Sequence, residues 1–216
     1  MHNTVKNLIY IENLIKSKVN HDKLAQIIAV SKTFPIESIL PLIEHGHLHY
    51  GENKVQEALE KWTDVKNVNH NIQLHLIGRL QTNKVKFALK IFDYIHSLDS
   101  EKLATKISEE QVKQEKKPKI FIQVNIGNEE QKSGMNRDNL LNFYNYCKKL
   151  DLDIVGTMCI PPNDGNTKKY FSEMNNINQE LNFKELSMGM SEDYLEAIKN
   201  NATYVRVGSK IFGSRD

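Results

Sequence analysis

Residues 119–126 read KIFIQVNI, and their alternation decides the fold. Ile120, Ile122, Val124 and Ile126 fall on one face; Phe121, Gln123 and Asn125 fall on the other. One face is uniformly aliphatic and the other mixed. That suits a strand covered by helices outside and facing a barrel interior within. The same parity turns Leu74 and Leu76 outward and Gln73, His75 and Ile77 inward. It also turns Val205 and Val207 outward and Tyr204 and Arg206 inward. An inward guanidinium cannot shed its proton, so Arg206 requires a partner inside the barrel.

Outward from this strand the chain reads as eight β-then-α units joined by short connections. Strands are expected at 25–31, 47–50, 72–77, 94–98, 119–126, 153–160, 185–188 and 203–207. Helices are expected at 36–45, 54–62, 82–90, 101–113, 138–149, 167–181 and 192–199, with a last helical turn opened by Gly208-Ser209. Ser191 reads as the N-cap of the seventh of these, and Pro41 means that the first either starts late or kinks. An additional amphipathic helix at 3–18 carries Val5, Leu8, Ile11 and Ile15 on one stripe. The prediction is an α/β fold, a single (β/α)8 TIM barrel domain over 1–216 with an extra N-terminal helix. An open doubly wound sheet is the runner-up, but no G-x-G-x-x-G follows the first strand.

Composition narrows the function classes. Hydrophobic residues make up 39% and charged residues 26%, the balance of a folded globular chain. The 29 basic and 27 acidic residues are interspersed, so nothing forms the basic stripe that nucleic acid requires. The run KQEKKPK at 113–119 reads as a solvated loop before a strand. Cys147 and Cys159 make no disulfide framework, and the N-terminus lacks a signal-peptide core. A cytoplasmic, membrane-free protein is expected. No extended apolar surface stretch demands a dimer, so it is expected to be a monomer.

Chemistry is suggested at both ends of the chain. Residues 25–35, AQIIAVSKTFP, place Lys32 where a buried strand ends. A lysine partly desolvated there can lose its proton and attack a carbonyl to form a Schiff base. After strand seven the chain reads SMGMS (187–191), and after strand eight Gly208-Ser209. These are the loops where barrels of this kind bind phosphate, and glycines with hydroxyls suit an oxyanion. A Schiff-base lysine, a phosphate cradle and an inward arginine together describe a pocket for pyridoxal 5′-phosphate (PLP). Elsewhere, His45, His47 and His49 alternate, but Gly46 and a helix end break metal geometry, and no metal site is expected. Lys132, after strand five, is a second candidate amine; Lys84 and Lys86 read as solvent-facing and Trp62 as packing.

AVSKT, HYGENKVQE, HLIGRLQTNK, FIQVNI with KSGM, GTMCIPP, ELSMGMSEDYLEAI and YVRVGSKIFGSRD follow in order. Together they closely resemble the motifs of the pyridoxal phosphate homeostasis proteins, whose fold is similar to the N-terminal barrel of alanine racemase. The resemblance covers residues 24–216. It implies that Lys32 carries PLP as an internal aldimine and that Asn53 lies beside the ring. It further implies that Arg206 faces the pyridine nitrogen, that Ser187, Gly208 and Ser209 hold the phosphate, and that His75 lines the pocket. Arg79 and Cys159-Ile160 depart from the family pattern outside its core motifs.

The expected function is intracellular PLP homeostasis: holding the vitamin B6 cofactor and buffering or delivering it without robust turnover. Apo PLP-dependent enzymes would be the recipients. A permanent cation at the pyridine nitrogen weakens the ring as an electron sink. Racemisation also needs a proton donor on each face, and the second domain that supplies one in alanine racemase is not expected after strand eight. The alternatives are an amino-acid racemase-type enzyme with Lys32 as base, and a cofactor-free barrel aldolase or isomerase.

Overall fold

Period-two parity and β-branched composition produce eight parallel strands that close on themselves in chain order. The computed structural model describes residues 1–18, 24–129 and 131–213. The last three residues of YVRVGSKIFGSRD lie outside them. The strands are β1 (Gln26–Val30), β2 (His49–Glu52), β3 (Gln73–Leu76), β4 (Tyr94–Leu98), β5 (Lys119–Val124), β6 (Asp153–Cys159), β7 (Glu185–Met190) and β8 (Tyr204–Val207). Closure is made by β1 against β8, with Ile28 opposite Arg206. Helix α1 (Asn3–Lys18) precedes the barrel. The ring then comprises α2 (Ile36–Glu44), α3 (Val55–Val68), α4 (Val85–Ile91), α5 (Glu101–Gln114), α6 (Leu140–Lys149), α7 (Thr167–Glu180), α8 (Tyr194–Lys199) and α9 (Ser209–Phe212). None of the described helices is long and apolar enough to cross a membrane.

Two cores result. The larger lies between strands and helices and takes Leu74, Leu76, Ile120, Ile122, Val205 and Val207, the residues whose parity pointed outward. The smaller fills the barrel with Ile28, Tyr94, Phe121, Met158 and Tyr204. Helix α1 buries Val5, Leu8, Ile11 and Ile15, as its stripe predicted. Its Asn7 side chain donates to the Ile211 carbonyl at 2.9 Å, tying the N-terminal helix to α9. Trp62 is fully buried in the outer core. Cys147 and Cys159 are unpaired and buried, and burial pushes both thiols up to about 12.

Three boundaries differ from the sequence reading in ways that matter. Strand β2 runs through Glu52, so that carboxylate lies under α3 and not in a loop. Strand β7 continues to Met190 through Gly189, whose φ of +88° an L side chain rarely adopts. Helix α8 therefore starts later, at Tyr194, with Asp193 and not Ser191 at its N-cap. Pro41 sits inside α2, which begins at Ile36 without delay; the proline's lost N–H leaves only the carbonyl of exposed Glu37 to water.

The barrel also encloses imidazoles. His75 and His96 are wholly buried, and His47 and His49 partly so. Burial lowers all four from the usual 6.5, His47 to about 4 and His75 and His96 well below. Each folded-state value is depressed, so the unfolded chain takes up protons first as pH falls. The stability they lend is complete above pH 6.5 and is lost below it. We expect the unfolding free energy to fall from pH 6.5 toward 5 with a slope of about 1.4 kcal/mol per pH unit for each histidine that stays neutral. Urea unfolding at half-unit pH steps measures this, and a flat profile over that range would contradict it.

Candidate cofactor site

Lys32 leaves the end of β1 in a turn held from outside the barrel. Ser31 donates its hydroxyl to Glu52 Oε1 at 2.8 Å, and its carbonyl accepts from Lys61 Nζ at 3.0 Å. Thr33 adopts φ 68°, a left-handed conformation that is strained for a β-branched residue. Its N–H donates to Glu57 Oε1 at 2.7 Å. Lys61 joins the two carboxylates, 3.0 Å from Glu52 and 3.2 Å from Glu57. Trp62 Nε1 adds a third donor to Glu52 Oε1, at 3.0 Å. Burial pushes the Glu57 carboxyl up, but the Thr33 N–H and the Lys61 ammonium outweigh it and hold the group below the usual range. The residues on either side of Lys32 are thus fixed by an ionic network that the sequence reading missed. Its one local signal was Glu57 and Lys61 at i, i+4 on α3.

Above the strand ends opens a cleft of about 710 Å³, the size that holds a small cofactor. Lys32, Asn53, Arg206, Gly208 and Ser209 all line it, so five of the seven expected positions come together. Asn53 is placed by a close approach: a Cβ on Gly78 would lie 2.3 Å from the Asn53 carbonyl oxygen. The backbone after β2 can therefore settle onto the loop after β3 only over a glycine.

The other two expected residues do not line the cleft. Ser187 is fully buried beneath Arg206, its Oγ accepting from Nη1 at 2.8 Å. His75 lies in the barrel interior, stacked on Tyr94 with centroids 4.2 Å apart and bonded to His49 and His96. Ser191 lines the cleft instead, and its Oγ accepts the Gly208 N–H at 3.3 Å. The turn at Gly189 re-aims the chain and brings Ser191 there. Lys132 is outside the cleft, paired with Glu129 at 2.6 Å. His47 Nε2 bonds the His49 carbonyl, and no three described His, Cys, Asp or Glu side chains are placed to hold a metal.

The donor set fits the cofactor that the sequence suggested. Arg206 is 4% exposed, with Nη1 on Ser187 and Nη2 on the Cys159 carbonyl at 2.9 Å. Among the described residues no carboxylate lies within ion-pair distance of it. Burial lowers its pKa, from a starting point so high that the guanidinium stays charged. A buried cation bonded only to neutral acceptors is suited to a ligand acceptor in the cleft. Ser191, Gly208 and the first turn of α9 supply hydroxyls and N–H groups at the barrel's usual phosphate position. Glu192 and Asp193 border the same mouth; Asp193 accepts the Met190 N–H at 2.6 Å, and Glu192 faces Lys210 at 3.8 Å.

The family model for the N-terminal domain of alanine racemase matches residues 11–216. A pyridoxal phosphate homeostasis protein of Aquifex aeolicus is 38% identical over 204 residues, covering 90% of this chain and 89% of its own. Another, from Pasteurella multocida, is 34% identical over 98% of this chain and 97% of its own. The structure of PipY from Synechococcus elongatus with PLP bound matches at a TM-score of 0.86 and 31% identity, covering 97% of this chain and 100% of that one. Alanine racemase of Clostridium difficile shares the fold at a TM-score of 0.73 and 17% identity, and this chain covers 57% of its length. With its barrel, its Lys32 rim and these relatives, the chain belongs to the pyridoxal phosphate homeostasis protein family, on the fold of the alanine racemase N-terminal domain.

Proposed function

We propose that this chain binds PLP in the cleft as a Schiff base on Lys32 and buffers or delivers it, without sustained turnover. The observation that carries this reading is Arg206, a buried cation that no described carboxylate approaches to ion-pair distance, on one cleft with Lys32 and the Ser191–Ser209 rim. The match to PipY with PLP bound supports it. Lys32 Nζ would condense with the cofactor aldehyde to an imine, releasing water, and such a bond reopens to water or to a recipient's amine. Asn53 would stand beside the ring. Ser191, Gly208 and Ser209 would take the phosphate, with Ser187 acting from below through Arg206. Two unpaired buried thiols suit a reducing cytoplasm.

Holding is favoured over racemisation by what faces Lys32. A second proton donor would be needed across the cleft. The inward phenol of Tyr204 is not in the cleft lining; its hydroxyl is bonded to that of Tyr94 at 3.3 Å within the barrel. Arg206 would keep a ring nitrogen facing it unprotonated, which suits storage better than carbanion chemistry.

Loaded protein freed of excess PLP should absorb in the visible. Borohydride should bleach that band and leave the label on Lys32 in peptide mass mapping. Lys32→Ala should lose the label and bind at least about tenfold more weakly, about 1.4 kcal/mol. A colourless protein, or label confined to Lys132, would overturn the reading.

The network behind Lys32 makes a separate prediction. Glu57→Ala leaves the Thr33 N–H without its acceptor and should cost about 1–2 kcal/mol in urea unfolding, with weaker PLP uptake. Thr33→Gly relieves the left-handed φ and should be stabilising by about 0.5–1 kcal/mol. Equal and opposite shifts to these would show that the turn is not under strain.

A further inference from the structure

Beneath Arg206 the barrel holds a line of hydrogen bonds that crosses from the cleft toward the opposite pole. Arg206 Nη1 lies 2.8 Å from Ser187 Oγ, and Ser187 Oγ lies 2.9 Å from His96 Nδ1. His96 Nε2 lies 2.9 Å from His75 Nδ1, and His75 Nε2 lies 3.0 Å from His49 Nδ1. Strands β8, β7, β4, β3 and β2 each contribute one member. Ser187, His96 and His75 are wholly buried. The rings are clamped face-on, His96 by Phe121 at 4.3 Å and His75 by Tyr94 at 4.2 Å. At the far end His49 lines a separate cavity of about 380 Å³.

The chemistry of its first member gives this line one direction. A guanidinium only donates, so Ser187 Oγ accepts from Arg206. The hydroxyl oxygen could accept a second bond from His96 Nδ1, but the serine's own proton would then be buried without a partner among the described residues, so the fully satisfied arrangement donates it to His96 Nδ1. That acceptor role makes His96 the Nε2–H tautomer, which donates to His75 Nδ1. His75 is then also Nε2–H and donates to His49 Nδ1. With the serine proton on that bond, a charged imidazole at His75 or His96 would set two donors against each other, and burial in the barrel opposes it further.

We propose that His96, with His75 behind it, is a positioning residue for Arg206: it fixes the Ser187 hydroxyl as an acceptor and so aims the guanidinium into the cleft. This rests on the reading of the cleft as a PLP site. Apolar side chains would fill a barrel without the desolvation cost of three imidazoles and a guanidinium. Their retention in one unbroken, one-way series is what points to Arg206.

The test has two arms. On the unloaded protein, nitrogen-15 NMR should show His75 and His96 as single Nε2–H tautomers at pH 7, and Arg206→Leu should mix them because Ser187 is freed to turn. Mixed tautomers before that substitution, or none after it, would overturn the inference whether or not PLP binds. On the loaded protein, His96→Phe keeps the ring packing and removes the acceptor. It should shift the visible absorbance and weaken PLP binding about tenfold, the loss expected for one hydrogen bond to a charged group. His96→Asn, whose side-chain oxygen can replace Nδ1, should restore both. A folded His96→Phe protein with unchanged spectrum and affinity overturns the inference while leaving the PLP reading intact. If His96→Phe does not fold, failure of His96→Asn to match the parent spectrum overturns it instead. Absence of PLP uptake by the parent protein counts against the function alone, and the tautomer arm then decides the inference.

Discussion

A guanidinium inside a barrel, with no described carboxylate at ion-pair distance, constrains everything around it. The ion cannot neutralise itself and is nearly sealed from water. Its compensation comes from the Ser187 hydroxyl, the Cys159 carbonyl and the cleft it faces. The first two are neutral acceptors, Ser187 from the adjacent β7 and Cys159 from β6 beyond it, so the register of both strands has to be right to within one residue. Arg206 pairs with Met190 across a register shift in β7, and that shift leaves Ser187 one layer deeper, opposite Tyr204. A barrel closed in any other register would strand the charge.

Parity along a strand was readable in the sequence, and depth within the barrel was not. KIFIQVNI sorted its aliphatic and mixed faces correctly, and so did the residues around Leu74 and Val205. The Tyr94–Leu98 strand and the N-terminal helix needed no adjustment. His75 was placed on the inner face and Ser187 in the loop after strand seven, but inward does not mean at the rim, and Ser187 lies within β7 below it. Height depends on how adjacent strands are staggered, and stagger is a property of pairs that no single segment encodes. His75 sits level with Gly51 and Tyr94, below the cleft floor.

Two other omissions have local causes. Glu52 fell between the expected strand at 47–50 and the expected helix at 54–62, and so outside any strand. It is buried because Lys61, Trp62 and Ser31 converge on one of its oxygens, and those donors come from a helix and a neighbouring strand. Its Oε2 has no partner among the described residues, so the network is held at a cost. Ser191 looked like a helix cap because S-E-D before an apolar run is a standard start signal. The left-handed Gly189 two residues earlier displaced the start of the helix and freed the hydroxyl for the rim.

The cleft is therefore framed from two directions that share no residue. Outside the wall, Glu52, Glu57 and Lys61 fix the backbone on either side of Lys32. Inside it, Ser187 and the histidines behind it brace Arg206. The two frames meet because β1 and β8 are the strands that close the barrel, with Ile28 against Arg206. A ligand bridging the ends of both strands would find its amine and its cation already set, and would meet little reorganisation on entry. Rigid placement of that kind favours capture and retention. The inward phenol of Tyr204, two residues from Arg206 on β8, is bonded to Tyr94 in the packed interior and is held out of the cleft lining.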